Sequence, residues 1–259
     1  MTEDYESSIH AWRADRLAAL GAEDGWLNLT DRVEIAPGRY SVGRSDENDL
    51  VISAGPERLG VLELAADGRA QLDAGAGPEP FAPVPDNPPR LKTGTLLLEM
   101  TQVESQFALR VRDIVHPRRT GFSGLDYFPV DPGWRIEAAW RRLPEERDLG
   151  IDLVTGASDK VRVTHEARFT HDGHEIRLIP THWKSGKPMI VIRDWTAGRE
   201  TYGAARFLFG EEAGARVVLD FNKAFSPPCA FTEFAVCPLP PPQNVMPFEI
   251  RAGEKAPRG

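Results

Sequence analysis

A chain of 259 residues with 41% hydrophobic side chains is long enough to bury the core of one large β domain or of two smaller ones. Its net charge of −8 at pH 7 opposes sequence-independent binding to nucleic acid, because the phosphate backbone requires a basic surface. No run of about 18 apolar residues is present, so we expect no membrane partner either.

The N-terminal segment predicts one amphipathic helix within residues 1–22. Gly21 is a natural stop, and before it apolar residues recur at roughly helical spacing, at Ile9, Trp12, Leu17 and Leu20. The first residues, MTEDYESSIH, lack the positive charge and the apolar stretch of a secretion signal. We therefore expect a cytoplasmic protein.

Most of the remaining chain has the pattern of strands joined by turns. Apolar runs such as DRVEIAP, GRYSVGR and RLGVLELAA are short and are broken by Gly, Asn, Asp and Pro. The Gly- and Pro-rich segment 74–90 predicts a surface loop. Beyond residue 150 a succession of runs with DG, SG and AG breaks favours antiparallel sheet. The predicted fold class is mainly β, an antiparallel sandwich or barrel with one N-terminal α-helix.

The C-terminal segment 220–254 is unusual because it contains seven prolines and both cysteines. Proline fixes φ and removes a backbone donor, so this segment cannot be helical. Apolar residues alternate with the prolines, among them Phe221, Phe231 and Phe248. The pattern predicts a long ordered loop that packs onto the core as a lid and marks the region of a site.

Several strings in a fixed order resemble one bacterial family, the domain of unknown function 1684. They are GWLNLT, SVGRSDENDLVIS, LRVRD, GLDYFPVDPGWRI, RDWTAGRETYGAARFLF, DFNKAFSPPCAF, CPLPPPQN and RAGE. The resemblance implies an intracellular bacterial setting and the location of important residues, including Tyr127 and Asp131. It implies no reaction.

A second resemblance concerns the first half of the chain. GRYSVGRSDENDLVIS followed by RLGVLEL is similar to the opening strands of a forkhead-associated domain, a β-sandwich that holds phosphothreonine with an Arg and a Ser. Gly43 and Arg44 fit that opening, but residues 56–59 read Pro-Glu-Arg-Leu where such domains place Ser-x-x-His. The resemblance implies a sandwich-like half at 23–115, and we expect a barrel-like half with the proline-rich lid at 116–259.

The densest polar cluster lies between two apolar runs that could pair as a hairpin. It contains Asp194, Thr196, Glu200, Thr201, Tyr202 and Arg206. In a structural interpretation Asp194 and Thr196 form a turn, and Arg206 pairs with a carboxylate. In a functional interpretation Arg206 and Tyr202 bind an anionic or polar ligand, since a guanidinium matches carboxylate or phosphate.

Asp220 and Asn222 alternate at the end of a predicted strand, so both would lie on one face beside the proline-rich loop. They either hydrogen-bond the donor-poor loop backbone or perform catalysis. Asn244 admits the same two interpretations.

Cys229 is a candidate nucleophile or an inert packed thiol, and so is Cys237; a disulfide between them is possible but not required. A nucleophile would need a base from elsewhere in the fold, and the candidates are His165, His171, His174 and His182. These histidines have no CxxC companion, so we predict no metal site and no cofactor.

Three functional hypotheses remain open. The first is a module that binds a small polar or anionic molecule through Arg206, Tyr202 and Asp220. The second is a hydrolase-like enzyme with Asp220 as general acid or base and Asn222 as orienting group. The third is a structural protein whose proline run binds a partner. The sequence leaves the oligomeric state open.

Overall fold

The computed structural model describes residues 2–85, 87–103 and 105–258. Antiparallel sheets dominate this structure, and the long helix α1 (Thr2–Leu20) precedes them. The prediction of a mainly β protein with an N-terminal helix is therefore confirmed. Contacts divide the chain into an N-terminal unit, Ala18–Ser123, and a C-terminal unit that comprises the chain up to Leu17 and from Gly124 onwards.

The described residues of the N-terminal unit form ten strands and a short helix. They are β1 (Leu29–Ile35), β2 (Gly38–Gly43), β3 (Leu50–Val51), β4 (Gly60–Leu64), β5 (Ala70–Asp73), β6 (Pro78–Pro80), β7 (Ala82–Val84), β8 (Asn87–Thr93), β9 (Leu96–Val103), β10 (Gln106–Asp113) and α2 (Pro117–Thr120). One sheet has the order β1-β10-β9-β8-β7 and the other the order β3-β2-β4-β5-β6, in which β2 and β3 are parallel. Side chains of both sheets, such as Leu62 and Leu109, share one buried cluster, so the sheets pack face to face.

The prediction of a surface loop at 74–90 is wrong for much of its described length, because it contains β6, β7 and the start of β8. Proline is tolerated there since β6 and β7 are both edge strands, where a missing N–H breaks no ladder. Pro88 and Pro89 lie where the register between β7 and β8 is irregular. A high proline content therefore indicated the sheet edges and not the absence of strands.

The C-terminal unit is built on one seven-stranded antiparallel sheet. Its strands are β11 (Arg135–Asp152), β12 (Ser158–His171), β13 (His174–Leu178), β14 (His182–Lys184), β15 (Lys187–Ile192), β16 (Arg206–Ala213) and β17 (Arg216–Asp220). The spatial order is β13-β12-β11-β17-β16-β15-β14. The core combines sheet residues such as Ile190, Leu208 and Leu219 with Met246 and Ile250 of the C-terminal tail. The tail is thus part of the core.

Helix α1, which belongs to the C-terminal unit up to Leu17, contacts the rest of that unit through polar as well as apolar side chains. Arg13 donates to the carbonyl of Phe128 at 2.9 Å, and Arg16 donates to the carbonyl of Ser226 at 2.9 Å. Ile9 is buried, but Leu17 is 41% exposed, so the apolar face is narrower than the spacing predicts. No helix in the described part of the chain combines the length and the hydropathy needed to span a bilayer.

Candidate functional site

Asp194 and Arg206 form a buried ion pair at the base of the long connection between β15 and β16. Ile192 pairs with Arg206 across the hairpin, which confirms the predicted pairing and brings Asp194 close to the arginine. The Asp194 carboxylate accepts the Arg206 guanidinium at 2.7 Å, and both side chains are 1% exposed. Its other oxygen accepts the backbone amide and the hydroxyl of Thr196 at 2.9 and 2.6 Å. The expected Asp-Thr turn is present.

The same arginine binds the C-terminal tail. Its Nη1 donates to the carbonyl of Ala252 at 2.5 Å and its Nη2 to that of Ile250 at 3.0 Å, while Ile250 donates its amide to Asp194 at 3.1 Å. Burial lowers the pKa of Arg206, and the nearby Asp194 carboxylate opposes this effect. The two Nη atoms of the guanidinium, which could bind a ligand, are occupied by the chain's own groups. Its Nε is buried and has no hydrogen-bond partner among the described residues.

Two more residues of the predicted polar cluster also contact the chain itself. The Thr201 hydroxyl lies 2.9 Å from that of Thr196, and Glu200 pairs with Arg251 of the tail at 3.0 Å. The polar side chains of the cluster therefore lie close together, as expected, but they bind the C-terminal tail.

Asp220 and Asn222 form a second buried group beside α1. Asn222 does not continue β17 but lies in a 3-10 turn at Phe221–Lys223, because the Asp220 side chain accepts its amide at 3.2 Å and caps that turn. Asp220 also accepts the Tyr5 hydroxyl at 2.8 Å. Asn222 bonds both backbone polar groups of Asp131, at 3.0 and 2.8 Å. Each polar group thus has an internal partner.

Tyr202 lies against the cysteines. Its hydroxyl donates to the carbonyl of Cys229 at 3.0 Å, and burial raises its pKa. The amide of Cys229 donates to Sγ of Cys237 at 3.3 Å, and both cysteines are free thiols.

Asn244 fixes the proline segment, which we define as residues 238–242. This asparagine is fully buried; its side chain bonds the amide and the carbonyl of Ile179 at 2.9 Å each and the carbonyl of Val191 at 3.0 Å. At the other end of the segment, Leu239 donates to the carbonyl of Asp152 at 2.7 Å. Pro241 is buried. The segment therefore lies against the sheet at both of its ends.

A cavity of about 250 Å³ opens beside the proline segment, and we call it the proline cavity. It is lined by residues 150–152, Arg193, Ala204, residues 239–242 and Val245. Arg193 is exposed and its guanidinium has no ion pair or hydrogen bond within the described residues. Its backbone is fixed, because its amide donates to Asn244 at 3.1 Å and its carbonyl accepts Met246 at 2.7 Å.

Two larger cavities carry arginines that are mostly paired with acids. One, of about 590 Å³, lies in the N-terminal unit, where Arg39 pairs with Glu63 and Arg69 with Asp67. The other, of about 520 Å³, is lined by residues of β11, β12 and β13, and its lining carries three glutamates and three arginines. Within it, Arg168 pairs with Glu166. Both arginines of the first cavity are thus paired with carboxylates, and the charges lining the second cavity balance.

Tyr127 lies near the buried end of the tail. The Arg13 guanidinium sits 4.4 Å above its ring, and burial together with the charge of Glu254 raises the pKa of Tyr127 to about 12. Glu254 is fully buried, accepts the amide of Ser226 at 3.0 Å and pairs with Arg16 at 3.3 Å. Sequence analysis noted Glu254 only within the RAGE string.

The histidines pack on aromatic rings. His165 stacks on Trp140 with 5.0 Å between ring centroids, and His171 lies 4.5 Å from Trp134. In the described ranges no group of three or more His, Cys, Asp or Glu residues is arranged to hold a metal ion. The absence of a metal and of a cofactor stays a prediction.

The model of the protein family of unknown function DUF1684 matches residues 120–255, more than half of the chain. The chain belongs to this family. The DUF1684 match includes the buried ion pair, the two thiols and the proline cavity. The forkhead-associated resemblance lies outside it and stays a prediction.

Among solved structures, an uncharacterized protein of Haloarcula marismortui, studied by solution NMR, is similar to this DUF1684 protein. The sequences are 30% identical, the match covers 53% of this chain and 79% of that chain, and the TM-score is 0.43. None of the curated proteins matches this chain. The relative comes from an archaeon, and a bacterial source for this chain stays a prediction.

Arg193 is absent from the predicted site, although the sequence contains a signal for it. Residues on opposite sides of an extended chain alternate, so the inward side chains of Asp194 and Thr196 imply that Arg193 and Trp195 are directed outward. Trp195 is indeed 61% exposed. No comparable signal indicated Tyr5, whose partner Asp220 is 215 residues away.

Proposed function

We propose that this protein binds a small anionic molecule in the proline cavity and that Arg193 recognises the anion. The observation that carries the proposal is an exposed guanidinium, without an internal partner in the described chain, at the wall of a 250 Å³ cavity. A planar guanidinium donates two parallel hydrogen bonds to a carboxylate or a phosphate. The proposal keeps the predicted ligand class and moves the recognition from Arg206 to Arg193.

The other walls favour a ligand of a particular kind. Leu239 and three prolines supply apolar surface, while Asp152 supplies a carboxylate whose Oδ1 accepts the Ser158 hydroxyl at 3.2 Å. A carboxylate and a guanidinium in one cavity suit a ligand that carries an anionic group together with a hydroxyl or an amino group. The volume is below the roughly 300–1,000 Å³ of pockets for drug-sized ligands, so we expect a small metabolite.

The two other hypotheses receive less support. Asp220 is bonded to Tyr5 and to Asn222, which is the pattern of a capping group and not of a carboxylate open to substrate. Pro241 is buried and Pro238 and Pro240 are half-buried, so most of the proline run packs against the chain. The cytoplasmic location stays a prediction.

The test is isothermal titration calorimetry of the full chain with three probes: inorganic phosphate, succinate and glutamate. We expect saturable binding of at least one probe with a Kd of about 1 mM or lower, equivalent to about −4 kcal/mol. Arg193→Gln should weaken that binding at least about tenfold, equivalent to about 1.4 kcal/mol.

Arg141→Gln is the matched control, because Arg141 is a second exposed arginine of the C-terminal unit and lies outside the cavity lining. It should leave the affinity unchanged. The proposal is rejected if no probe binds, or if Arg193→Gln and Arg141→Gln bind the probes as tightly as the wild type does.

A further inference from the structure

Cys229 and Cys237 are brought into contact by two local structures. Cys229 lies in the 3-10 turn Pro228–Ala230, and its amide donates to Sγ of Cys237 at 3.3 Å. Cys237 is held from the opposite side, because its carbonyl accepts the amide of Val154 at 2.9 Å. Sγ of Cys237 therefore lies directly beside the backbone of Cys229 within one ordered loop.

The environments of the two thiols differ. Cys229 is half-buried, whereas Cys237 is 2% exposed. The hydrogen bond from the Cys237 thiol lowers the pKa of Cys229, and the Tyr202 hydroxyl adds to this effect while burial opposes it. Because the thiolate is the reactive form of cysteine, the lowered pKa favours attack by Cys229, which is also the more accessible of the two thiols.

We propose that Cys229 and Cys237 form an oxidant-responsive pair, in which Cys229 attacks a peroxide and Cys237 converts the product into an intramolecular disulfide. The assignment follows from the contact between the Cys229 amide and Sγ of Cys237 and from the greater exposure of Cys229. It does not depend on ligand binding in the proline cavity.

The chemistry takes place in two steps. In the first step the Cys229 thiolate attacks one peroxide oxygen; an S–O bond forms, the O–O bond breaks, and a sulfenic acid and hydroxide result. In the second step the sulfur of Cys237 attacks that of Cys229, the S–O bond breaks, and the departing hydroxide takes up the thiol proton as water. The hydroxide of the first step takes up the proton that Cys229 released when it ionised, so hydrogen peroxide is reduced to two molecules of water and the sulfurs together lose two electrons. A dithiol reductant reverses the change.

The disulfide would constrain the proline segment. Cys237 immediately precedes this segment, and Leu153, which directly follows β11, bridges to Pro238. Closing the loop between positions 229 and 237 would tie the segment to the turn at Pro228–Ala230 as well as to the sheet. Oxidation should therefore stabilise the native chain, because the bond restricts the unfolded state.

The experiment treats the reduced full chain with one equivalent of hydrogen peroxide, blocks the remaining thiols with N-ethylmaleimide and measures the intact mass. We expect the loss of two hydrogen atoms, no maleimide adduct and complete reversal by dithiothreitol. Two maleimide adducts on the peroxide-treated chain, or disulfide-linked dimers in place of the internal bond, would overturn the proposal.

Three variants assign the roles. Cys237→Ser should accumulate a sulfenic acid at Cys229, which dimedone traps. Cys229→Ser should react with peroxide at least tenfold more slowly than Cys237→Ser does. Tyr202→Phe retains both thiols. Alkylation of Cys229 in this variant should reach half of its maximal rate at a higher pH than in the wild type. Equal rates of reaction with peroxide in the two serine variants would contradict the assignment of Cys229 as the attacking thiol. Circular dichroism shows whether each variant is folded.

Discussion

The carboxylate of Asp194 holds the guanidinium of Arg206 at 2.7 Å in a site that excludes solvent from both side chains. Because Arg206 also donates to the carbonyls of Ile250 and Ala252, this one ion pair joins the β15–β16 connection to the C-terminal tail. The pair is therefore a structural element of the fold that fixes the tail to this connection.

Arg206→Ala should destabilise the protein by about 3–5 kcal/mol, because it leaves the Asp194 carboxylate buried without its counter-ion. Urea unfolding measures the change. Arg199→Ala is the control, since Arg199 forms an exposed ion pair with Glu249 and its loss should cost at most about 1 kcal/mol. Equal effects of the two substitutions would show that the buried pair contributes no more than a surface pair.

The elements that depend on local pattern could be predicted from the sequence. The 3.6-residue periodicity before Gly21 indicated α1, and the apolar runs on either side of residues 193–205 indicated the β15–β16 hairpin. The Asp194–Thr196 turn was likewise local, because its hydrogen bonds join residues two apart.

The remaining features depended on contacts that are distant in sequence. The Asp220–Tyr5 bond spans 215 residues, and Arg206 meets carbonyls more than forty positions away, so neither partner could be read from spacing. The loop prediction for the proline-rich segment 74–90 was wrong, because proline indicates only that a backbone N–H donor is missing. An edge strand tolerates that missing donor. The cavity at Arg193 required the three-dimensional course of residues 238–242.

Asn222→Ala should destabilise the protein by about 1–3 kcal/mol, because it removes the hydrogen bonds that this fully buried side chain makes with the backbone of Asp131 and with the Tyr5 hydroxyl. Chemical denaturation of the variant gives the value. Asn87→Ala, at an exposed asparagine, should change stability by no more than about 0.5 kcal/mol. If Asn222→Ala also lowers the free energy of unfolding by no more than about 0.5 kcal/mol, water replaces the side-chain amide of Asn222.

Gly253 occupies a tail position where φ is +81° and where an added Cβ would lie 2.5 Å from the carbonyl oxygen of Ala224. Gly214 has a φ of +65° and open space around its Cβ position. Gly214→Ala should therefore cost only the backbone strain, about 1–2 kcal/mol. Gly253→Ala should cost about 1–3 kcal/mol more, because the clash adds to the strain. Thermal and urea unfolding of both variants separate these two contributions, and equal losses would refute the close packing of the tail.

Glu254 should give the protein a distinct dependence of stability on pH. Burial raises its pKa, and the Arg16 guanidinium and the Ser226 amide oppose this shift only in part. Between the ordinary and the raised pKa, the native chain retains a proton that the unfolded chain has released, so this carboxyl makes the free energy of unfolding fall as the pH increases. Below this pH window the contribution of Glu254 to the free energy of unfolding is constant. Above the window the decrease in that free energy is complete.

Glu254→Gln removes this titration while keeping the size of the side chain. The difference in unfolding free energy between the variant and the wild type should therefore shift in favour of the variant as the pH rises through the window. Urea unfolding at a series of pH values measures the difference, and Glu233→Gln, at an exposed position of the same region, should show none. A difference that is constant with pH, or that shifts in favour of the wild type, would mean that Arg16 outweighs the desolvation of the carboxylate.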